Sequence, residues 1–281
     1  MAKDPGPLVQ RLVLGAELRD LREAAGLTSD DVASHLGWYR SKVSKIETGE
    51  GKLSDKDIEV LLTLYGAHER AGDKVHRLAV EARRKLPAAR VTDWAKKYVS
   101  LEESASEIKM FFPDVIPGLL HTSAYAHECL SASVMVPSVE VDEIASARER
   151  RSGKLFDSDP PQVWAVMGEE AIQRRVGNPE IHRGQLEHIR QLADLDNVTI
   201  QLIPTSMGTH PGMGLMFTLL HIDAADATIA YIENLTSADY FSGSQHVRAY
   251  SLVFDRLRVA ALSDRESLRL IDRQIRELGE E

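Results

Sequence analysis

Apolar residues recur along the first third of the chain at helical intervals, with polar residues between them. From about Val9 to Ala25, the residues Leu12, Leu18, Leu21 and Ala25 share one stripe at steps of six, three and four, which predicts an amphipathic helix. Gly26 follows and stops it, as glycine often does after a helix. Thr28 stands three positions before Asp31 and reads as the N-cap of a second helix, with Asp30 and Asp31 suited to its positive end. Val32, Ala33 and Leu36 form that helix's inward face, and Gly37 ends it. A third helix is expected at about Tyr39 to Thr48, with Val43 and Ile46 pointing inward, before Gly49 and Gly51 break the chain. Ser54 caps a fourth, whose core face is Ile58, Leu61, Leu62 and Tyr65, and a fifth runs from about Glu69 to Leu86, ahead of Pro87.

Beyond Pro87 to Arg90 the pattern changes, and helical and strand periods mix. Helices are expected in VTDWAKKYVSLEESA, from Ser123 onward, in VEVDEIASARERRSGKLF, in EEAIQRRVG and in PEIHRGQLEHIRQLADL, the last opened by Pro179. Five short runs, SEIKMFF, QVWAVM, VTIQLIP, GLMFTLLHI and TIAYIEN, read as strands. Two helices close the chain, at about Gln245 to Leu262 and Asp264 to Leu278, with Ser263 and Glu266 forming a capping-box signature between them. The expected organisation is a mainly α, five-helix domain over residues 1–86 and an α+β domain over 87–281.

A chain of 281 residues has room for two cores. The lone cysteine, Cys129, rules out an intrachain disulfide framework and fits a reducing cytoplasm. The longest apolar runs fall far short of a membrane span, and the polar start MAKDPGPLVQ lacks the apolar core of a signal peptide, so a cytoplasmic location away from membranes is expected. Charge is uneven. Residues 1–90 hold 16 Lys and Arg against 14 Asp and Glu, whereas residues 91–281 hold 18 against 29. A polyanion would be met by the first part and repelled by the second.

The third helix sharpens that contrast. Val43 and Ile46 pin one side to the core and leave Arg40, Ser41, Lys42, Ser44 and Lys45 on the others. Two short helices joined by a tight turn form a helix-turn-helix, and short polar with long basic side chains suits the major groove of duplex DNA. Arg can grip guanine through two hydrogen bonds, and lysines neutralise phosphates. Trp38 either wedges against the DNA backbone or packs across the turn.

The run LRDLREAAGLTSDDVASHLGWYRSKVSKIETGEGKLSDKDIEVLLTLYG resembles the XRE (lambda-repressor-like) helix-turn-helix family. The resemblance rests on Leu27-Thr28, Asp30-Asp31, Val32-Ala33, Gly37 and the Ser44-to-Gly49 run SKIETG. It implies that Tyr39, Arg40, Ser41 and Lys45 read bases, that Thr28 and Ser29 touch phosphate, and that Glu47 is structural. Ser29 departs from the glutamine often found at that position. A homodimer reading two half-sites is the implied assembly.

His121 and His127 are six apart, as are His182 and His188, and ligand pairs on one helix face need three or four. No HExxH, cysteine cluster or phosphate-cradling glycine loop occurs, so neither metal nor cofactor nor catalysis is expected. Two stretches stand out as loops that either carry binding or merely cross between elements: Ile116 to Ala126, with Ile116, Pro117 and His121, and Ile203 to Phe217, with His210 and Met213. The basic knot Arg148, Arg150 and Arg151 either pairs with acidic neighbours or receives an acidic partner.

The segments YVSLEESASEIKMFFPDVIPGLLHTSAYA, RERR, VTIQLIPTSMGTHPGMGLMFTLL and IAYIEN are similar to the effector domain of actinobacterial antitoxin-like XRE regulators, from about Trp94 to the C-terminus. His121 replaces the glutamine usual in the family's Ile-Pro-Gly-Leu-Leu-Gln-Thr. The resemblance implies a transcriptional regulator encoded beside a small companion protein that acts as its partner. Two alternatives remain open at this point: a small-molecule sensor whose 203–217 loop closes a pocket, and a strict antitoxin.

Overall fold

The structure, a computed structural model, describes residues 6–83 and 93–280. The expected boundary at residues 87–90 lies outside the described residues. The described chain packs into two compact units. One gathers the residues up to Ala105 with Leu220–Ala230 and Tyr240–Ala249; the other gathers Ser106–Leu219, Tyr231–Asp239 and Tyr250–Glu281.

The first unit holds the helices α1 (Gly6–Ala24), α2 (Ser29–Leu36), α3 (Arg40–Glu47), α4 (Asp55–Tyr65), α5 (Glu69–Ala82) and α6 (Asp93–Ser104). Local chemistry sets their ends. Thr28 and Ser54 each accept a hydrogen bond from the amide three residues on, and Asp31 and Asp57 reach back to the cap amide, so α2 and α4 both start with a capping box. Gly37 and Gly66 end them in the left-handed conformation. The core is made by Leu12 and Leu18 of α1, Val32 of α2, Val43 and Ile46 of α3, Ile58 and Leu61 of α4, and Val75 and Leu78 of α5, all buried. Burying each such side chain stabilises the fold by about 1.5–3 kcal/mol. Of the stripe read on α1, Leu12 and Leu18 are buried, but Leu21 is half-buried and Ala25 exposed; Val9, Val13 and Leu14 take the inward places instead.

The second unit is built on βαβ crossovers. β1 (Glu107–Phe112) leads through α7 (Ser123–Ser131) and α8 (Val141–Ser152) to β2 (Gln162–Gly168), and β2 leads through α9 (Glu170–Gln173) and α10 (Pro179–Leu192) to β3 (Val198–Ile203). β1 and β2 pair in parallel with Ile108 opposite Val163, and β2 and β3 in parallel with Val163 opposite Val198. Met110, Phe111, Ala165 and Val166 are buried at successive positions, as expected where both sheet faces are covered. Then come β4 (Phe217–Ile222), β5 (Ala227–Glu233), β6 (Ala238–Phe241), α11 (Ser244–Ala260) and α12 (Asp264–Gly279). The six strands form one sheet in the order β3-β2-β1-β4-β5-β6. The outer strand β3 is closed off by polar groups ahead of and within α12. The Leu202 amide donates to Ser267 Oγ at 2.9 Å, and the Leu202 carbonyl accepts from the Leu262 amide at 2.8 Å.

Thus a helical N-terminal region is followed by an α+β region with a mixed sheet. Two local readings need correction. A sixth strand, β6, joins the five expected from the sequence; Ala-Asp-Tyr-Phe carries little β signal without its partner strand. The helix expected over EEAIQRRVG shrinks to α9, which ends at Gln173 before Gly177 takes a left-handed turn (φ +65°). Among the described residues no helix is long and apolar enough to cross a membrane.

Candidate nucleic-acid interface

α3 is held from behind. Arg22 on α1 donates from Nε to Glu47 Oε1 at 2.6 Å and from Nη2 to Glu47 Oε2 at 3.0 Å. Its Nη1 donates to the Leu27 carbonyl at 2.7 Å. One guanidinium thereby joins α1, the loop before α2 and the last turn of α3. At Gly15 the two helices nearly touch, since a Cβ there would lie 2.6 Å from the carbonyl oxygens of Ile46 and Glu47. With Val43 and Ile46 buried, the opposite side of α3 faces solvent: Arg40, Ser41, Ser44 and Lys45 are exposed. Those four fall at i, i+1, i+4 and i+5, which makes one continuous face of a helix.

The residues expected to bind DNA do not share one environment. Tyr39 precedes α3 with 85% of its surface exposed and makes no side-chain cap bond. Arg40 lies 3.6 Å from Asp30, and both are largely in water, so this pairing holds the arginine weakly. Lys42 is engaged within the fold. Its ammonium sits 3.5 Å from the centre of the Trp38 ring and 3.1 Å from Asp57 Oδ1. Trp38 is half-buried under that lysine and packs across the turn. Burial pushes the Asp57 carboxyl up, but bonds from Ser54 and Lys42 outweigh it and hold the group below its ordinary pKa. Thr28 is exposed, yet its hydroxyl donates to Asp31 Oδ2 at 2.6 Å and accepts from the Asp31 amide. Ser29 opens α2, half-exposed.

The second set of candidates divides. Ile116, Pro117 and His121 are buried and come together with Arg148. His121 Nε2 donates to the Ile116 carbonyl at 2.8 Å, which leaves Nδ1 to accept from Arg148 Nη1 at 3.3 Å. Burial, reinforced by the charge of Arg148, lowers the His121 pKa to about 3, so the ring is neutral. This geometry suits an internal strut tying the 116–121 turn to α8. Arg151 is half-exposed on α8. His210 belongs to another place: its ring stands edge-on to Phe111, and its Nδ1 accepts from the Gly212 amide at 3.2 Å. Met213 is 64% exposed beside them. The sequence did not point to Arg22, Gly15 or Asp57. Glu47 was read as structural without a partner, and its partner lies on another helix.

A helix-turn-helix domain family matches residues 13–78, the stretch that carries α2, the turn and α3. A family described as a domain of unknown function, DUF5753, matches residues 95–273. No curated protein and no solved structure matches the chain.

Proposed function

The chain belongs to the DUF5753 family and carries a helix-turn-helix segment ahead of that domain, and we propose that it is a sequence-specific, DNA-binding transcriptional regulator of the XRE type. The observation that carries this reading is the solvent-facing side of α3, where Arg40, Ser41, Ser44 and Lys45 stand exposed on a helix clamped from behind by Arg22 and Glu47. An α-helix with that face fits the major groove, where Arg40 can take guanine and Lys45 a base edge or phosphate. Tyr39 and Ser41 add base contacts beside it, and Thr28 and Ser29 touch phosphate. Lys42 supports the turn and contributes a weaker, longer-range charge.

The protein acts as a homodimer in the nucleoid, with two copies of α3 reading half-sites one helical turn of about 34–36 Å, or a small multiple of that, apart. The role is non-enzymatic. The α+β region takes a signal, and the small companion protein implied by the antitoxin-like resemblance is the proposed source. Selection of bound fragments from random duplex DNA, followed by gel shift on the selected sequence, tests the central claim. A single enriched motif, lost on Arg40→Ala, is expected. Binding without sequence preference, or preference unchanged by Arg40→Ala, overturns it.

A further inference from the structure

Behind α3, the first helical unit contains a cavity of about 300 Å³. Its apolar wall is built by Leu14 of α1, Ile46 of α3, Leu53 of the segment after α3, and Ala79 of α5. The 49–53 segment is held close here: a Cβ on Gly51 would lie 2.8 Å from Ile46 Cγ1. Alanine on α5 leaves the space open that a larger residue would fill.

The rim is cationic. Arg11, Lys52 and Arg83 all border the cavity. Arg11 Nε donates to the Ala82 carbonyl at 2.8 Å, and among the described residues no partner takes its terminal nitrogens. Lys52 is exposed and, among the described residues, unpaired. Arg83 alone is matched, by Asp55 at 2.8 Å. A half-open pocket whose lining combines this apolar wall with a guanidinium fork and an ammonium is complementary to an amphiphilic anion. Its volume is at the small end of ligand pockets and suits a body of roughly ten heavy atoms. A free inorganic anion would waste the apolar wall, and a neutral hydrocarbon would leave the cations unmatched.

We infer that this cavity is a binding site for a small apolar monocarboxylate, its tail against Leu14, Ile46 and Leu53 and its carboxylate between Arg11 and Lys52. The occupant touches Ile46, on the side of α3 turned away from the exposed Arg40–Lys45 face, and the segment that follows α3. It therefore biases the pose of α3. That consequence rests on the DNA-binding reading; the binding itself does not.

The test is calorimetric titration of the full chain without DNA, so that its failure is separate from a failure to bind DNA. The probes are decanoate and 2-naphthoate, which distinguish a straight-chain from a fused-ring acid, with decan-1-ol and inorganic phosphate as controls. At least one acid is expected to bind at one site per chain, about tenfold or more tighter than either control. Lys52→Glu, at an exposed position, is expected to weaken the acid about tenfold with an unchanged melting temperature. Arg11→Gln is expected to weaken it as well. The inference is overturned by no saturable binding of either acid at millimolar concentration, by decan-1-ol or phosphate binding as tightly, or by an affinity indifferent to Lys52→Glu.

Discussion

Arg22 and Glu47 lie 2.6 Å apart, with the side chains 8% and 9% exposed. They come from the last turn of α1 and the last turn of α3, so a buried ion pair sets the pose of the helix that carries the exposed cationic face. Two further bonds, from Nη1 to the Leu27 carbonyl at 2.7 Å and from Nη2 to Glu23 Oε1 at 3.4 Å, occupy more of the guanidinium's donors, and such additional bonds help a pair to offset its desolvation.

Removing one partner should therefore cost more than removing both. Glu47→Leu strands the Arg22 charge at a site 8% exposed and is expected to lose about 3–5 kcal/mol. Arg22→Met combined with Glu47→Leu should lose markedly less. Urea unfolding of Arg22→Met, Glu47→Leu and the double variant measures this; additive losses would show that the pair is not coupled.

On the outer side of α3, Arg40→Ala and Lys45→Ala are each expected to weaken operator binding by about 1–3 kcal/mol, with melting temperature unchanged. Lys42→Ala should weaken it less than either. It should instead cost about 0.5–1 kcal/mol of stability, because it removes the contacts with Trp38 and Asp57. Fluorescence anisotropy on the selected DNA, set beside thermal melts, separates the two effects. A Lys42 variant with the largest binding loss would contradict the present placement.

His121 makes the second unit sensitive to acid. Its folded pKa is lowered from 6.5 to about 3, first by burial and then by Arg148. The unfolded chain takes up a proton below about 6.5 that the folded chain refuses. The stability from this group is thus fully present above pH 6.5 and is lost as pH falls toward 3. Between pH 7.5 and pH 5 the loss should be about 1–2 kcal/mol. His121→Gln, which cannot titrate, should reduce that loss. Burial also lowers the pKa values of His182 and His188, and both remain in the variant, so the difference between the two proteins is the quantity to measure.

Gly15 offers a steric test of how α1 positions α3. A methyl there meets the backbone carbonyls of Ile46 and Glu47 at 2.6 Å, and backbone cannot step aside as a side-chain tip can. Gly15→Ala is expected to destabilise by about 1–3 kcal/mol and to weaken DNA binding along with it. Gly72→Ala on α5 is the control. Its nearest neighbour is Leu62 Cδ1 at 3.8 Å, and it should be neutral or stabilise by about 0.5–1 kcal/mol. Thermal melts of both variants check the contrast.

Most of the helix-turn-helix could be read from the chain because its signals are local. Thr28 and Asp31 cap each other across one turn, Gly37 adopts the left-handed conformation at the helix end, and Val43 with Ile46 mark the inner face. Each depends on residues within a few positions of one another. The same holds for Ser263 with Glu266 at the start of α12. β6 is not legible in the sequence because a four-residue strand is defined by its neighbour in the sheet, not by its own composition.

The amino-acid order was enough to establish where most helices start and stop and which side of α3 could be polar, since capping, left-handed glycine and apolar spacing act within one or two turns. It could not show which polar residues would be spent inside. Lys42 goes to Trp38 and to Asp57 fifteen positions on, His121 to Arg148 twenty-seven positions on, and Arg22 to Glu47 twenty-five positions on. Those choices arise only when packing brings distant segments together and removes their charges from water, where an unmatched group costs more than a matched one.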